Sequence, residues 1–124
     1  MSRKEGIPLE AEITKAIMRR LRDAGIPYLF KSAGGPYQRA GLPDIIGIAP
    51  GGRFFGLEVK RPQVGRATAI QLATLRDIEA AGGIVAIVHS PEEAERVLFG
   101  EREEGGHADE QGLCRLAGKA AGAD

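Results

Sequence analysis

Two apolar runs, DIIGIA (44–49) and RFFGLEVK (53–60), are separated only by Pro50-Gly51-Gly52. Two such runs joined by a short glycine-containing turn signal an antiparallel hairpin. Successive side chains of a strand point to opposite faces, so Glu58 and Lys60 share a face, about 6.6 Å apart along the strand. Asp44 opens the first run, immediately after Pro43. In a hairpin, the start of one strand lies beside the end of the other. Asp44, Glu58 and Lys60 are therefore expected at one end, opposite the Pro-Gly-Gly turn.

The other segments arrange themselves around this hairpin. A helix is expected from about Pro8 to Ala24, with Ile13, Ile17, Leu21 and Ala24 at helical spacing, Arg19, Arg20 and Arg22 near its end, and Gly25 after it. PYLFK (27–31) reads as a short strand, and SAGGPYQRAGLP (32–43) as a loop. After the hairpin, RPQVGRAT (61–68) is a basic loop, and a second helix spans about Thr68 to Ala81 until Gly82-Gly83 stops it. IVAIV (84–88) is continuously apolar, as expected of a strand covered on both faces. A last helix opens at SPEE, with Ser90 as N-cap, Pro91 at N1 and Glu93 at N3, and ends near Gly100. The order α-β-β-β-α-β-α predicts an α/β domain, a small mixed sheet with helices on its faces, over residues 1–100. Residues 101–124 lack a sustained period and are rich in Gly and Ala, so a flexible tail is expected there.

The chain's 124 residues suit one core, and 43% hydrophobic and 27% charged residues suit a water-soluble domain. No apolar run approaches the roughly 20 residues that span a bilayer, and the N-terminus carries no secretory h-region. A cytoplasmic protein without membrane partners is the expectation. Cys114 is the only cysteine, which excludes a disulfide framework and a thiolate zinc site. His89 and His107 have no ligand spacing with each other or with Cys114. The 17 basic and 17 acidic residues cancel, which argues against avid nonspecific nucleic-acid binding but allows a local basic face beside an acidic pocket.

Two polar side chains fall on otherwise apolar helix faces. At 100° per residue, Glu10 lies about 20° from Ile17 and Leu21, whereas Glu12 lies about 140° from Ile17 and faces solvent. Gln71 lies about 20° from Ile78 and 40° from Leu75. Singly, each has an ordinary explanation: a helix cap for Glu10, a backbone-satisfied amide for Gln71, a surface ion pair for Glu58 and Lys60. Converging from two helices and a hairpin, they describe a site instead. Neighbouring carboxylates repel unless a cation lies between them. Hard oxygen ligands with open positions suit Mg²⁺, and an adjacent lysine can hold a water and stabilise charge developing on phosphorus.

The segments LEAEI, GLPDIIG, GGRFFGLEVKRP, the Gln of AIQLATL and AAGGIVAIVHSPEEA, from about Leu9 to Leu98, resemble the PD-(D/E)xK nuclease superfamily. They look most like the VRR-NUC family in its stand-alone phage and bacterial form. The resemblance implies a restriction-endonuclease-like α-β-β-β-α-β core with an added C-terminal helix. It implies Asp44 and Glu58 as the main metal ligands, with the Val59 carbonyl and Glu10 supporting them, and Mg²⁺ or Mn²⁺ as cofactor. A glutamate neighbouring Glu10 is the alternative in the first helix. It further implies Lys60 as the residue that positions or activates water, and Gln71 near the scissile phosphate.

Stand-alone members are similar to Holliday-junction resolvases and act as homodimers, so the implied activity is an endonuclease on branched DNA. A flap or general duplex endonuclease of the same fold is the alternative, followed by a non-catalytic DNA-binding module. Lys31, Arg39, Arg53, Arg61 and Arg66 are the candidate phosphate contacts.

Overall fold

The computed structural model describes residues 7–32 and 40–100. Its elements are α1 (Glu10–Asp23), β1 (Leu29–Lys31), β2 (Ile45–Ala49), a 3-10 turn (Pro50–Gly52), β3 (Arg53–Val59), α2 (Ala69–Ala80), β4 (Ile84–Val88) and α3 (Pro91–Phe99). The order and the mixed α/β class are those expected from the sequence. The expected tail, and Arg39 in the loop after β1, lie outside the described residues. No helix among the described residues is long and apolar enough to cross a membrane.

The sheet has the order β1-β2-β3-β4. β2 and β3 form the hairpin, with Ile45 opposite Leu57 and Ala49 opposite Arg53. Gly51 and Gly52 make its turn at φ values of 88° and 83°, where a side chain would be strained. β1 adds antiparallel to β2 as one edge. β4 lies parallel to β3, which requires a crossover, and α2 supplies it.

Alternation divides the sheet into two faces. Ile45, Phe55, Leu57, Val59, Ala86 and Val88 share one buried cluster with Ile13, Ile17 and Leu21 of α1 and Ala94, Val97 and Leu98 of α3. Val85 and Ile87 turn the other way and pack with Leu75, Leu72 and Ile78 of α2. Gly56 and Glu58 belong to this second face by alternation. All five residues of β4 are buried, because helices cover both of its sides. The α2 side is covered over β3 and β4 only, and Phe30, Ile48 and Phe54 remain partly exposed toward the β1 edge.

Helix ends follow local chemistry. Ser90 Oγ accepts the Glu93 N–H at 3.1 Å, while Glu93 Oε1 accepts the His89 N–H at 2.7 Å, one residue before the N-cap. Gly25, at φ 105°, ends α1 in the left-handed region. Arg20 of α1 ties to α3 through Glu95 at 2.6 Å and Glu92 at 3.2 Å.

Gly47 is the tightest point of the sheet's interior. A Cβ there would lie 2.5 Å from the Tyr28 carbonyl oxygen and 2.7 Å from the Phe55 ring. Neither can retreat: one is backbone and the other is a fully buried ring in the main cluster. Gly47→Ala is expected to destabilise the fold by about 1–3 kcal/mol through overpacking. A lower urea midpoint at unchanged slope would show it, and an unchanged midpoint would mean the ring is not held against Gly47.

Candidate functional site

The hairpin register extended by one pair sets Asp44 opposite Glu58 at the open end of β2 and β3. Three contacts hold Asp44 and the proline before it. Its Oδ2 accepts the Val59 N–H at 2.7 Å. Its carbonyl accepts the Ser32 N–H at 2.9 Å, and Ser32 Oγ donates to the Pro43 carbonyl at 2.8 Å. Pro43 is buried above Gly56, where a Cβ would come within 2.8 Å of the proline ring. A side chain at position 56 would therefore push the Asp44 segment away. The sequence reading missed Ser32, and a lone serine after a short strand carries no signal that would have found it.

Glu58 stands on the α2-facing side of β3, level with Ile87 of β4. Its side chain is fully buried, and neither carboxylate oxygen has a hydrogen-bond partner. The Lys60 ammonium lies 3.5 Å away and is itself only 12% exposed. At that distance it is an ion-pair partner, longer than a good charged hydrogen bond of about 2.8 Å. Burial pushes the Glu58 carboxyl up to about 8, the charge of Asp44 adds to the shift, and Lys60 offsets part of it. A charged group in such surroundings is costly to hold, and structural ion pairs do not require the cost.

Two carboxylates, one buried and unsatisfied and the other partly exposed, present hard oxygens at one point. That donor set fits Mg²⁺ or Mn²⁺, which take one or two protein carboxylates and keep several waters. Supplying positive charge between Asp44 and Glu58 would relieve the repulsion and the desolvation together.

The structure does not gather every expected residue there. Among the described residues, no three His, Cys, Asp or Glu side chains are close enough to hold one ion. Glu10 therefore does not complete a three-carboxylate cluster with Asp44 and Glu58, although Arg61 brings the approach to α1 to the same end of the sheet. Glu12 is exposed as expected, and its Oε1 accepts the Leu9 N–H at 3.1 Å. Gln71 occupies N3 of α2 and closes a capping box: its Oε1 accepts the Thr68 N–H at 2.8 Å, and Thr68 Oγ1 accepts the Gln71 N–H at 3.2 Å. The signal was present as Thr68-x-x-Gln71, a known helix-start pattern. Val59 gives its N–H to Asp44, which fixes the backbone between the two charged side chains.

The expected phosphate contacts also separate. Arg53 sits at the turn end of the hairpin, away from Asp44, and donates to the Gly82 carbonyl at 2.7 and 3.2 Å. Arg61 donates to the Pro8 carbonyl at 3.0 Å and the Ile7 carbonyl at 3.4 Å, tying the end of β3 to the approach to α1. Arg66 is exposed and already engaged by a neighbour. Lys31 is exposed at the end of β1, paired to Ile45 beside Asp44.

The raised Glu58 carboxyl makes stability pH-dependent with a definite sign. Between the ordinary carboxylate value of 4.5 and the folded value of about 8, the folded chain keeps a proton that the unfolded chain has released. The contribution is present below the lower value and is lost as pH rises through the upper one. Metal-free protein should therefore melt at a lower temperature at pH 8 than at pH 5, by the equivalent of a few kcal/mol. Glu58→Gln should flatten that dependence and abolish any rise in Tm with Mg²⁺ or Mn²⁺ at pH 8. Equal pH profiles for the two proteins would contradict the buried, unsatisfied carboxylate.

Comparisons with known protein families, with characterised proteins and with solved structures find no match for this chain.

Proposed function

We propose that the protein is a metal-dependent DNA endonuclease of the PD-(D/E)xK superfamily, VRR-NUC family, hydrolysing phosphodiester bonds in branched DNA as a homodimer. The observation that carries this reading is the fully buried Glu58 carboxylate without a hydrogen bond, facing Asp44 and 3.5 Å from Lys60. A binding module gains nothing from buried carboxylates beside a phosphate, because they repel it. A hydrolase does gain, because the same oxygens can hold the cation that a phosphodiester needs.

The α-β-β-β-α-β order with a parallel fourth strand is compatible with a restriction-endonuclease-like core. Asp44 and Glu58 would hold Mg²⁺ or Mn²⁺, with the Val59 carbonyl as a further ligand. The bound ion would acidify a water and neutralise charge on the phosphate. Lys60 lies on the same strand face as Glu58, two residues on. Its ammonium would donate a hydrogen bond to the attacking water and stabilise the charge that builds on the phosphate oxygens. The ion pair with Glu58 restrains the lysine, so little ordering is needed when substrate arrives. Asp44, the more exposed carboxylate of the two, marks the side from which a phosphate would approach.

Purified protein should cut a labelled four-way junction only when Mg²⁺ or Mn²⁺ is supplied, and faster than it cuts linear duplex. Asp44→Ala and Lys60→Ala should each lower that rate on the order of 10²–10³-fold with unchanged circular dichroism. Lys60→Arg should not restore it, since a planar guanidinium cannot replace a compact ammonium at a confined position. Cutting without metal, or variants as active as the parent, would refute the site. Equal rates on junction and duplex would remove the branched substrate, and a strict monomer in light scattering would remove the paired incision.

A further inference from the structure

Three exposed basic residues without a side-chain partner among the described residues lie together on α1, and a fourth, Lys31, ends β1. A groove of about 730 Å³ runs between α1 and the β1 edge, lined in part by Lys15, Arg19, Arg22, Lys31, Met18 and Asp23. Four of these carry positive charge and one carries negative charge. Lys15, Arg19 and Arg22 fall within about 60° of one another around α1 and extend about 10 Å along it. All three are exposed, as is Lys31. None of the four makes a side-chain hydrogen bond or ion pair among the described residues. The contrast with Arg20 is sharp, since Glu92 and Glu95 take up its guanidinium across α3. In a chain whose formal charges cancel, four cations along a groove that Asp23 only partly offsets make a local field rather than a share of a general excess.

The groove also has a direction. Arg61, directly after Lys60, holds the Pro8 and Ile7 carbonyls, so α1 begins at the site end of the sheet. Lys31 pairs with Ile45, next to Asp44, at the same end. β1 is an edge strand, so nothing in the sheet lies beyond it. We propose that this groove is a track for the sugar-phosphate backbone of a nucleic acid, leading around the β1 edge to the acidic site. The inference rests on the nuclease reading and assigns it substrate contacts on α1 that the sequence reading did not name. A stripe about 10 Å long matches about three successive phosphates of one duplex strand. An acidic protein segment would match the sign of the charge but has no reason to start at a phosphodiester-cutting site.

Binding measured without divalent metal separates this inference from catalysis. Fluorescence anisotropy of labelled four-way junction and linear duplex, in EDTA over a salt series, compares the parent with the triple variant Lys15→Gln/Arg19→Gln/Arg22→Gln. The variant should bind on the order of a hundredfold more weakly at 0.1 M salt, with a log–log salt slope shallower by about three. Lys31→Gln, on a different element, should reduce the slope by about one. Unchanged affinity and slope, with melting temperature preserved, would overturn the track even if the parent cuts DNA. Loss of binding in the variant from a parent that cuts nothing with any metal would support the track and sink the nuclease. Binding of an acidic polypeptide by the parent, with no binding of DNA, would overturn the track in favour of a protein partner.

Discussion

The carboxylate of Glu58, shut away from water with no hydrogen bond to either oxygen, is the constraint around which the rest of the molecule is arranged. A strand interior does not need a glutamate, and an apolar residue there would pack between β4 and α2 at no electrostatic cost. What makes the charge tolerable is its position one residue from the end of β3. Lys60 can reach it from the same face and offsets part of the cost, against the opposing charge of Asp44 across the hairpin. Removing Lys60 leaves the charge more isolated, whereas the charge of Asp44 works against it, and a cation between the two carboxylates would satisfy both. The cost is thus concentrated at one point, where a ligand can offset it.

The scaffold explains how such a point is maintained. Both faces of β3 are covered, by α1 and α3 on one side and by α2 on the other. This leaves the strand little freedom to turn Glu58 outward, since a one-residue slip would bury the wrong set of side chains. Pro43 over Gly56 and Ser32 on the Pro43 and Asp44 carbonyls then fix the segment that brings in Asp44. Arg61 clamps the approach to α1 against the end of β3, so the same end of the sheet gathers the hairpin termini and the start of the longest helix. Rigid elements hold the charged groups, and the exposed surface beside them carries the positive charge.

Much of this was legible in the residues. Pro50-Gly51-Gly52 between two apolar runs specified the hairpin, and the hairpin alone brought Asp44 to Glu58 and Lys60. The continuous run IVAIV announced a strand buried on both sides, and Ser90-Pro91 marked the start of α3. Gln71 was a different case. Its angular position on α2 was correctly computed, yet its amide closes the helix's first turn, because at N3 the backbone N–H of Thr68 is the nearer partner. Glu10 shows the same limit. Its place on the apolar stripe of α1 is local geometry, but that stripe packs on the opposite face of the sheet from Glu58.

By itself, then, the sequence determined what period-2 and period-3.6 patterns, turn residues and caps control: the elements, their order, and the pairing of two strands joined by three residues. These depend on contacts within a few residues or across a tight turn, where the chain has few alternatives. Tertiary structure decided which face of the sheet each helix covers, and hence that Glu58 is buried on the α2 side while the apolar stripe of α1 packs on the other face. It also decided which arginines are spent on carbonyls and which cations remain open along α1. Those outcomes depend on which side chains long-range packing brings within reach, and residue spacing along the chain does not encode that distance.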